Sequence, residues 1–343
     1  MSAENFEQIK TLNYCKQGKS LTVIVPVYNE SDCIVFFHNR LGTALKNAQI
    51  SRKEIIYIND GSTDTSLKLL MDIVMLDPDV QVIDFSRNFG KEAAMTAGIN
   101  QSTGDAVVFI DADLQDPPEL IPEMVKHWQQ GWDIVNMKRS SRAGESAMKK
   151  QSANLFYTLM GKMGPVKMPS NVGDFRLMSR RSIEAVKQMT EYNRFMKGMF
   201  GWIGYPTKEV LYERDARYAG KTKWNYWKLW NFAVDGMTSY SIAPLKISTY
   251  LGLGTSILSF FYGIFVVIRT LLYGDPVPGF PSLFVVILFL GGLQLLAIGI
   301  AGEYLGRIFL ETKGRPLYLI KDLYKNRSTK TNMITKISKR NIL

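Results

Sequence analysis

The chain contains few of the residues that build disulfide frameworks or zinc sites. Its 343 residues include two cysteines, Cys15 and Cys33, and two histidines, His38 and His127. The cysteines lack metal-ligand spacing, so we interpret them as free thiols. The histidines lie in predicted helices without ligand partners, and we assign them no role. These scarcities argue against a disulfide-stabilised domain and against a zinc enzyme.

Two common nucleotide-binding loops are also absent. No Gly-x-Gly-x-x-Gly motif follows the first predicted strand, and the chain has no Walker loop. These absences argue against a nicotinamide-dependent enzyme and against a P-loop NTPase. The first twenty residues contain no apolar core, so we expect no secretory signal peptide.

Hydrophobic sequence is concentrated in the last third of the chain. No charged residue occurs in the 22 residues from Ile247 to Ile268 or in the 27 residues from Pro276 to Gly302. Each run is long enough to cross the roughly 30 Å hydrocarbon layer as a helix. Two very apolar core helices are the alternative, although soluble helices usually keep a polar face. We therefore predict a membrane anchor of two helices.

The basic residues predict how such an anchor is oriented. The turn between the two runs contains Arg269 and Asp275, whereas residues 321–343 contain seven Lys or Arg and one Asp, which is +6 of a formal net charge of +11. By the positive-inside tendency, the first domain and the tail both face the cytoplasm from a multi-pass position in the cell (inner) membrane. Because no groove-reading fold accompanies the charge, we expect anionic membrane lipids rather than nucleic acid as its partner.

Strands and helices alternate along the first domain. Short β-branched runs predict strands at Leu21–Pro26, Glu54–Ile58, Val80–Phe85 and Ala106–Ile110. Helical patterns follow them at 32–47, 65–75, about 91–99 and 118–130. This alternation predicts an α/β domain with a Rossmann-like, mostly parallel sheet whose ligand-binding loops lie at the carboxyl ends of the strands.

Three polar loops should meet at that edge of the sheet. Residues 28–30 offer an aromatic face and acceptors for a base and a ribose, and Asp60 offers an acceptor for a ribose hydroxyl. Asp111 and Asp113, with Gln115 two residues further on, form a cluster of hard oxygen ligands suited to Mg²⁺ or Mn²⁺, which could hold a diphosphate. Taken singly, each loop also fits a solvated Asp-rich turn or a capped helix start.

The order of these motifs resembles that of a known enzyme family. The motifs are Val25-Pro26-Val27-Tyr28-Asn29-Glu30, Asn59-Asp60-Gly61-Ser62-Thr63-Asp64, Ser86-Arg87-Asn88-Phe89-Gly90-Lys91-Glu92 and Asp111-Ala112-Asp113-Leu114-Gln115-Asp116-Pro117-Pro118-Glu119, followed by matches at 173–180, 194–198 and 214–224. Together they closely resemble family 2 glycosyltransferases of the GT-A fold. Within that family they are similar to the polyprenyl-phosphate branch, which contains dolichol-phosphate mannose synthases and bactoprenol glucosyltransferases. The resemblance covers roughly residues 21–242, and the two-helix anchor fits the bactoprenol members.

The resemblance implies a role for individual residues. The implied nucleoside contacts are Pro26, Tyr28, Glu30 and Asp60. The implied metal ligands are Asp111, Asp113 and Gln115, with Ala112 beside them. The implied phosphate contacts are Arg139, Arg217 and Lys223. Three positions depart from the family pattern. Asn59 stands where a second acid is usual, Lys197 where Arg is usual, and Lys221 where Glu or a similar residue is usual. Lys cannot reproduce the planar fork of Arg, so the charge geometry near the acceptor or diphosphate should differ.

The middle of the chain supplies further candidates. Asp174, ahead of an apolar patch, could orient sugar hydroxyls, and a turn or N-cap role is the alternative. The basic segment 138–150 suits a cationic loop that brings two anions together, or else a solvated charge run. Residues 223–246 interleave tryptophans and lysines, which predicts amphipathic helices in the head-group layer, with ordinary core aromatics as the alternative.

These observations predict a domain order. The expected parts are an N-terminal extension at 1–20, a GT-A catalytic domain at 21–222, interfacial amphipathic helices at 223–246, a two-helix transmembrane anchor at 247–305 and a basic cytoplasmic tail at 306–343. Small residues in the second span, Gly291, Gly292, Gly299 and Gly302, would allow a homo-oligomer.

The resemblance implies an inverting transfer of a hexose from a nucleotide sugar donor to a polyprenyl (undecaprenyl) phosphate acceptor. Asp111, Asp113, Asp174 and Arg139 form the expected catalytic set. No protein base is required, because a phosphate monoester with a second pKa near about 6 is already ionised. UDP-glucose is the expected donor; UDP-N-acetylglucosamine, UDP-galactose and GDP-mannose are alternatives. The lipid-linked sugar would serve cell-envelope glycan modification, with a flippase and an outer-face transferase downstream.

Two other function classes fit the sequence less well. A non-catalytic membrane scaffold that binds nucleotide or lipid would be expected to have a broken metal site, whereas Asp111, Asp113 and Gln115 are intact. A processive polysaccharide synthase would need a Gln-x-x-Arg-Trp motif and more spans, and the sequence has neither.

Overall fold

The computed structural model describes residues 19–140, 172–213, 243–273 and 279–326. Most of the predicted N-terminal extension, most of the basic segment 138–150, nearly all of the predicted interfacial helices and the end of the predicted tail lie outside these ranges. Among the described residues Cys33 is a buried free thiol, and Cys15 lies outside them.

Strand and helix alternate in the first part of the chain, as the sequence predicts. The elements are β1 (Ser20–Val27), α1 (Ile34–Asn47), β2 (Arg52–Asn59), α2 (Ser66–Leu76), β3 (Val80–Phe85), α3 (Lys91–Gln101) and β4 (Ala106–Phe109), then a 3₁₀ turn (Pro118–Leu120) that leads into α4 (Ile121–Gln129). The predicted bounds agree with these to within two residues. The agreement follows from the β-branched runs and from the Pro and Gly residues that interrupt them.

The later elements are less regular. They are β5 (Ile134–Arg139), β6 (Val172–Ser179), α5 (Arg180–Lys187), α6 (Met196–Trp202), β7 (Thr207–Tyr212), α7 (Ala243–Tyr273), α8 (Phe280–Thr312) and β8 (Ile320–Lys325). Ser179 caps α5 by accepting a hydrogen bond from the Ser182 backbone amide, which is the usual role of serine at a helix start.

All eight strands form one sheet in the order β7-β5-β6-β4-β1-β2-β3-β8. β1 pairs in parallel with β2 and with β4, β2 pairs in parallel with β3, and β5 pairs in parallel with β7. β6 lies antiparallel between β4 and β5, and β8 lies antiparallel against β3. The sheet is therefore mostly parallel, and the predicted α/β class is confirmed.

Helices cover both faces of this sheet, so its central strands are apolar on both sides. Val23 and Val25 of β1 belong to one buried cluster, whereas Ile24 between them belongs to the other. α3 lies very close to β1, because a Cβ at Gly98 would be 2.4 Å from Cγ2 of Ile24. Continuous apolar strands of this kind are expected where a parallel sheet is buried on both faces.

The last strand comes from beyond the two long helices. β8 covers the edge of β3, Tyr318 stacks on Phe85 with ring centroids 5.1 Å apart, and the Ser86 amide donates to the Leu319 carbonyl over 3.0 Å. The predicted basic tail at 306–343 thus contains the end of α8 and a strand of the first domain's sheet. Sequence analysis did not predict this return, and the other domain boundaries stay predictions.

α7 and α8 are long apolar helices. Their 31 and 33 residues correspond to roughly 45–50 Å, and two segments within them, Pro244–Tyr273 and Val285–Thr312, are long and apolar enough to cross a membrane. The most apolar stretch of each helix is not buried within the described part of the protein. This contradicts the alternative that the two helices belong to a soluble core. A groove of about 330 Å³ between them is mostly apolar: leucines of both helices line it, together with hydroxyl side chains of α7 and with Gln294 of α8.

Candidate active site

The loop after β1 is hydrogen-bonded to the loop after β2. Asn29 has a positive φ of 54°, and its side-chain oxygen accepts from the Thr63 amide at 2.8 Å, while its own amide donates to Ser62 Oγ at 3.0 Å. The Glu30 amide donates to Ser66 Oγ at 3.0 Å. Asn tolerates the left-handed conformation better than most residues, so these bonds fix the region predicted to bind the nucleoside.

Asp60 connects the same region to the loop after β3. Its carboxylate accepts from the Phe89 amide at 2.6 Å and from the Gly90 amide at 2.9 Å. Burial raises the pKa of Asp60, although both backbone hydrogen bonds and Arg87 act in the opposite direction. A carboxylate has about four lone-pair positions, so the predicted bond to a ribose hydroxyl remains compatible with these two contacts.

Asn59, one of the departures from the family pattern, has a clear partner. Its amide nitrogen donates to Oδ1 of Asp84 over 2.7 Å, and both residues are buried. Lys321 of β8 lies 3.6 Å from the other oxygen of Asp84. An acid at position 59 would face the Asp84 carboxylate directly, so the amide here is matched to its neighbour on β3.

The remaining predicted nucleoside residues lie close to the end of β1. Pro26 is in β1 itself, and Tyr28 follows it with 40% of its surface exposed. Ala112 is buried beside Asp111 in the loop after β4. Loops that follow β1, β2 and β4 therefore meet at one edge of the sheet, as predicted from the alternation of elements.

Asp111 and Asp174 come together around a lysine. Lys91, the first residue of α3, places Nζ 2.6 Å from Asp111 Oδ1 and 2.6 Å from Asp174 Oδ2. Burial alone would lower the pKa of Lys91, but the two carboxylates outweigh it and raise that pKa well above its usual value. Asp174 lies within β6, so the turn or N-cap alternative for this residue is wrong.

The two acids respond differently to this environment. Burial raises the pKa of Asp111 against the effect of Lys91. Burial would also raise the pKa of Asp174, but Lys91 and Lys197 outweigh it and hold that pKa well below the usual range. Lys197 Nζ lies 4.0 Å from Asp174 Oδ1, which places this departure from the family pattern beside the acid on β6.

The second acid of the Asp-x-Asp motif lies in a tight turn. Leu114 has a positive φ of 62°, and the Gln115 amide donates to Asp113 Oδ1 over 3.2 Å. Asp113 is 9% exposed. At the end of the same loop, Asp116 accepts from the Tyr212 hydroxyl at 2.5 Å, which fixes the loop against β7.

Basic side chains border these acids. Arg139 ends β5 and interacts with Tyr212; burial would lower its pKa, but the Tyr212 contact and the charges of Asp116 and Asp174 raise it. Arg176 is buried on β6 and donates to the Gly173 carbonyl at 2.7 Å, and burial lowers its pKa to about 10. Arg217, Lys221 and Lys223 lie outside the described residues, so their predicted roles stay predictions.

The predicted metal ligands supply only oxygen donors. Across the described ranges, no group of three or more His, Cys, Asp or Glu side chains is arranged to hold a metal, but the predicted set of Asp111, Asp113 and Gln115 contains only two such residues. The lysine ammonium at Asp111 shows that this position accommodates a cation. Hard oxygen ligands in a partly buried loop fit Mg²⁺ or Mn²⁺.

Several residues of the site were given no individual role by sequence analysis. Lys91, Glu92, Asp116 and Tyr212 approach the predicted acids from α3, the loop after β4 and β7. Burial, followed by the charge of Asp174, raises the pKa of Glu92 to about 7, and its carboxylate accepts from the Met196 amide at 3.0 Å. Lys91, Glu92 and Asp116 lie within the motifs that carry the family resemblance, which was the available signal, whereas Tyr212 lies outside those motifs.

Comparison with known proteins agrees with this architecture. Residues 22–187 match the family model described as Glycosyl transferase family 2. An uncharacterized glycosyltransferase from Synechocystis is 51% identical over 89% of this chain and 95% of its own length. The bactoprenol glucosyl transferase of Shigella phage SfX is 48% identical over 88% of this chain and 98% of its own. The prophage bactoprenol glucosyl transferase homolog of Escherichia coli K12 is 47% identical over 89% and 99%.

The sheet, with its acid-rich loops at the strand ends, is that of a GT-A glycosyltransferase. The chain belongs to glycosyl transferase family 2, which confirms the resemblance seen in its motifs.

Proposed function

We propose that the protein transfers a hexose from a nucleotide diphosphosugar to a polyprenyl phosphate, with inversion at the anomeric carbon. The observation that favours this most is the meeting of Asp111, Asp174 and Lys91 at the strand ends in a chain with two helices long enough to span a membrane. Relatives named bactoprenol glucosyl transferase match almost their whole length, which favours undecaprenyl phosphate as acceptor and UDP-glucose as donor.

The donor would lie across the loops after β1, β2 and β4. Pro26, Tyr28, Glu30 and Asp60 would contact the nucleoside, with Ala112 beside the donor diphosphate. Asp111, Asp113 and Gln115 would hold Mg²⁺ or Mn²⁺, which supplies positive charge against the leaving diphosphate. Asp174 would orient sugar hydroxyls through the oxygen that Lys91 leaves unbound.

The acceptor phosphate would approach from the basic side. Arg139, with Lys197, Arg217 and Lys223, would neutralise it and align one oxygen with the anomeric carbon. That oxygen forms the new bond to the anomeric carbon while the bond to the diphosphate breaks and the nucleoside diphosphate leaves. No side chain needs to remove a proton, because the phosphate monoester is already ionised at neutral pH.

We propose the location and partners from the same features. The catalytic domain and the tail face the cytoplasm from the inner membrane, with anionic lipids near the basic tail. A flippase and an outer-face transferase would use the product. Gly291, Gly292, Gly299 and Gly302 of α8 leave room for a homo-oligomer, because a Cβ added at any of these four would have no neighbour within 4 Å among the described residues.

The test is a direct assay of the full-length protein in detergent or liposomes. It is incubated with undecaprenyl phosphate, Mn²⁺ or Mg²⁺ and, separately, UDP-glucose, UDP-N-acetylglucosamine, UDP-galactose or GDP-mannose, and the lipid is weighed by mass spectrometry. We expect a hexosyl lipid with UDP-glucose and none with chelator present. Product with another sugar would correct the donor, and no lipid product with any donor would overturn the proposal.

A further inference from the structure

Two acids face each other across β4 and β6. These strands are antiparallel, and Phe109 of β4 lies opposite Arg176 of β6. Counting two residues further on each side, where the chain has left β4, brings Asp111 towards Asp174, and both carboxylates contact the same ammonium group. Like charges directly opposite each other in a sheet are destabilising, and two facing carboxylates are also the kind of oxygen pair that a divalent cation bridges.

Lys91 fills the space between these acids. Its ammonium nitrogen lies 2.6 Å from Asp111 Oδ1, 2.7 Å from Asp111 Oδ2 and 2.6 Å from Asp174 Oδ2. An ammonium group has three hydrogens to donate, so these oxygens satisfy it. Lys197, the other lysine near Asp174, is 4.0 Å away and on the opposite carboxylate oxygen.

The backbone delivers Lys91 to this position. Gly90 ends the loop after β3 with a φ of 95°, and its amide is bound by Asp60 at 2.9 Å. α3 begins at the next residue and packs tightly on β1 through Gly98. The ammonium is therefore positioned by two independent contacts of its helix and does not depend on a flexible loop.

We propose that Lys91 is the internal counter-ion of the active site, whose ammonium prevents a divalent cation from bridging Asp111 and Asp174. The proposal rests on the metal-dependent function proposed above. Lys91 acts here as a positioning residue: it restricts the metal to the side of Asp113 and Gln115, and it keeps Asp174 available to the sugar.

The consequence of losing Lys91 follows from charge. With a neutral side chain at position 91, Asp111 and Asp174 would form a facing pair with charge −2, which a divalent ion neutralises fully. A metal bridging β4 and β6 would then use Asp174 as a ligand and would lie apart from the turn at Leu114. The variant should therefore gain a metal site while it loses sugar transfer.

The test measures Mn²⁺ bound per chain by electron paramagnetic resonance of full-length protein in detergent, without donor. We expect about one tightly bound ion in the wild type, about two in Lys91→Met and about one in Lys91→Met/Asp174→Asn, because the double variant removes half of the new pair. Lys91→Arg retains the charge and should bind about one. Lys197→Met is the matched control for loss of a nearby lysine and should also bind about one.

The outcomes separate this inference from the proposed function. One ion in both the wild type and Lys91→Met overturns the role of Lys91 and leaves the metal-dependent transfer intact. No bound ion in the wild type contradicts the metal part of the proposed function. Two ions in the wild type show that Lys91 does not exclude the second site. Lys91→Gln, with similar length and no charge, replaces Lys91→Met in every comparison if the latter does not fold.

Discussion

The two sides of the active-site edge are built in different ways. On the side of β1, β2 and β3, loops are held together by hydrogen bonds from backbone amides to Asn29, Asp60 and Ser66. On the side of β4 and β6, charged side chains lie against one another, with Lys91 between two carboxylates. The first arrangement is fixed by backbone hydrogen bonds and suits the nucleoside that we propose to bind there, whereas the second is a set of charges whose balance would change if an anion or a metal entered.

The largest effect is expected on the charged side. Replacing Asp113 with alanine removes an oxygen ligand and a negative charge from the site, so sugar transfer should fall by about 10²–10³ or more. The measurement is the yield of hexosyl lipid per unit time by mass spectrometry. Asp79→Ala, which removes an acid paired with Lys53 at 3.4 Å far from the motif, should retain normal transfer. Wild-type rates in Asp113→Ala would contradict the metal role.

A change at Gly61 should disrupt the loops that follow β1, β2 and β3. Gly61 has a φ of 64°, and a Cβ there would lie 2.5 Å from the Arg87 carbonyl carbon and the Asn88 nitrogen. Gly61→Ala should therefore separate the loops after β2 and β3 and cost about 3 kcal/mol or more of folding free energy. The thermal midpoint in detergent and the KM for the donor both report this.

Gly131→Ala is the matched control for the change at Gly61. Gly131 also has a positive φ, of 102°, but a Cβ there would have no neighbour within 4 Å among the described residues. We expect it to cost only about 1 kcal/mol from backbone strain. Equal loss of stability in both variants would show that the close approach of the two loops contributes nothing.

Asn59→Asp introduces the acid usual in the family and should destabilise the fold. It would set a carboxylate against buried Asp84 in place of the 2.7 Å hydrogen bond, so we expect a loss of about 3 kcal/mol. The thermal midpoint is the measurement. Asn59→Asp/Asp84→Asn exchanges donor and acceptor and should recover most of the loss; a double variant as unstable as the single would refute the pairing.

The smallest expected effect is a pH dependence of stability from Glu92. Its pKa is about 7 in the folded protein and near 4.5 when unfolded, so the folded state binds the proton more tightly. The contribution of this proton to the free energy of unfolding is therefore complete below about pH 4.5 and is lost as pH rises through 7. We expect the total loss to be about 2 kcal/mol, after allowing for the partial exposure of the side chain. Midpoints measured from pH 5 to 8 should fall less steeply in Glu92→Gln. Parallel curves for the two proteins would contradict the raised pKa.

Sequence analysis predicted the side of β1, β2 and β3 better than the side of β4 and β6. The bounds of β1 to β4 and of the helices between them follow from local patterns, and so does the convergence of their loops. Asp174 was found as a candidate, but its place opposite Asp111 depends on β6 entering the sheet between β4 and β5. No local signal encodes that non-local, antiparallel pairing, and Lys91 becomes visible as a partner only after it is known.

The role of Asn59 also depends on strand pairing that the sequence does not show. Its departure from the family pattern was visible in the sequence, but the reason for it, the amide bond to Asp84, needed the register of β2 against β3. The basic tail shows it again, since charge predicted a tail at the membrane surface and gave no indication that residues 320–325 form a strand.

The return of β8 to the sheet has a mechanical consequence. Only seven residues separate the end of α8 at Thr312 from the start of β8 at Ile320, so even a fully extended connection spans less than about 30 Å. The edge of the sheet at β8 therefore stays within that distance of the end of α8, and the sheet cannot move away from this helix by more than about 30 Å.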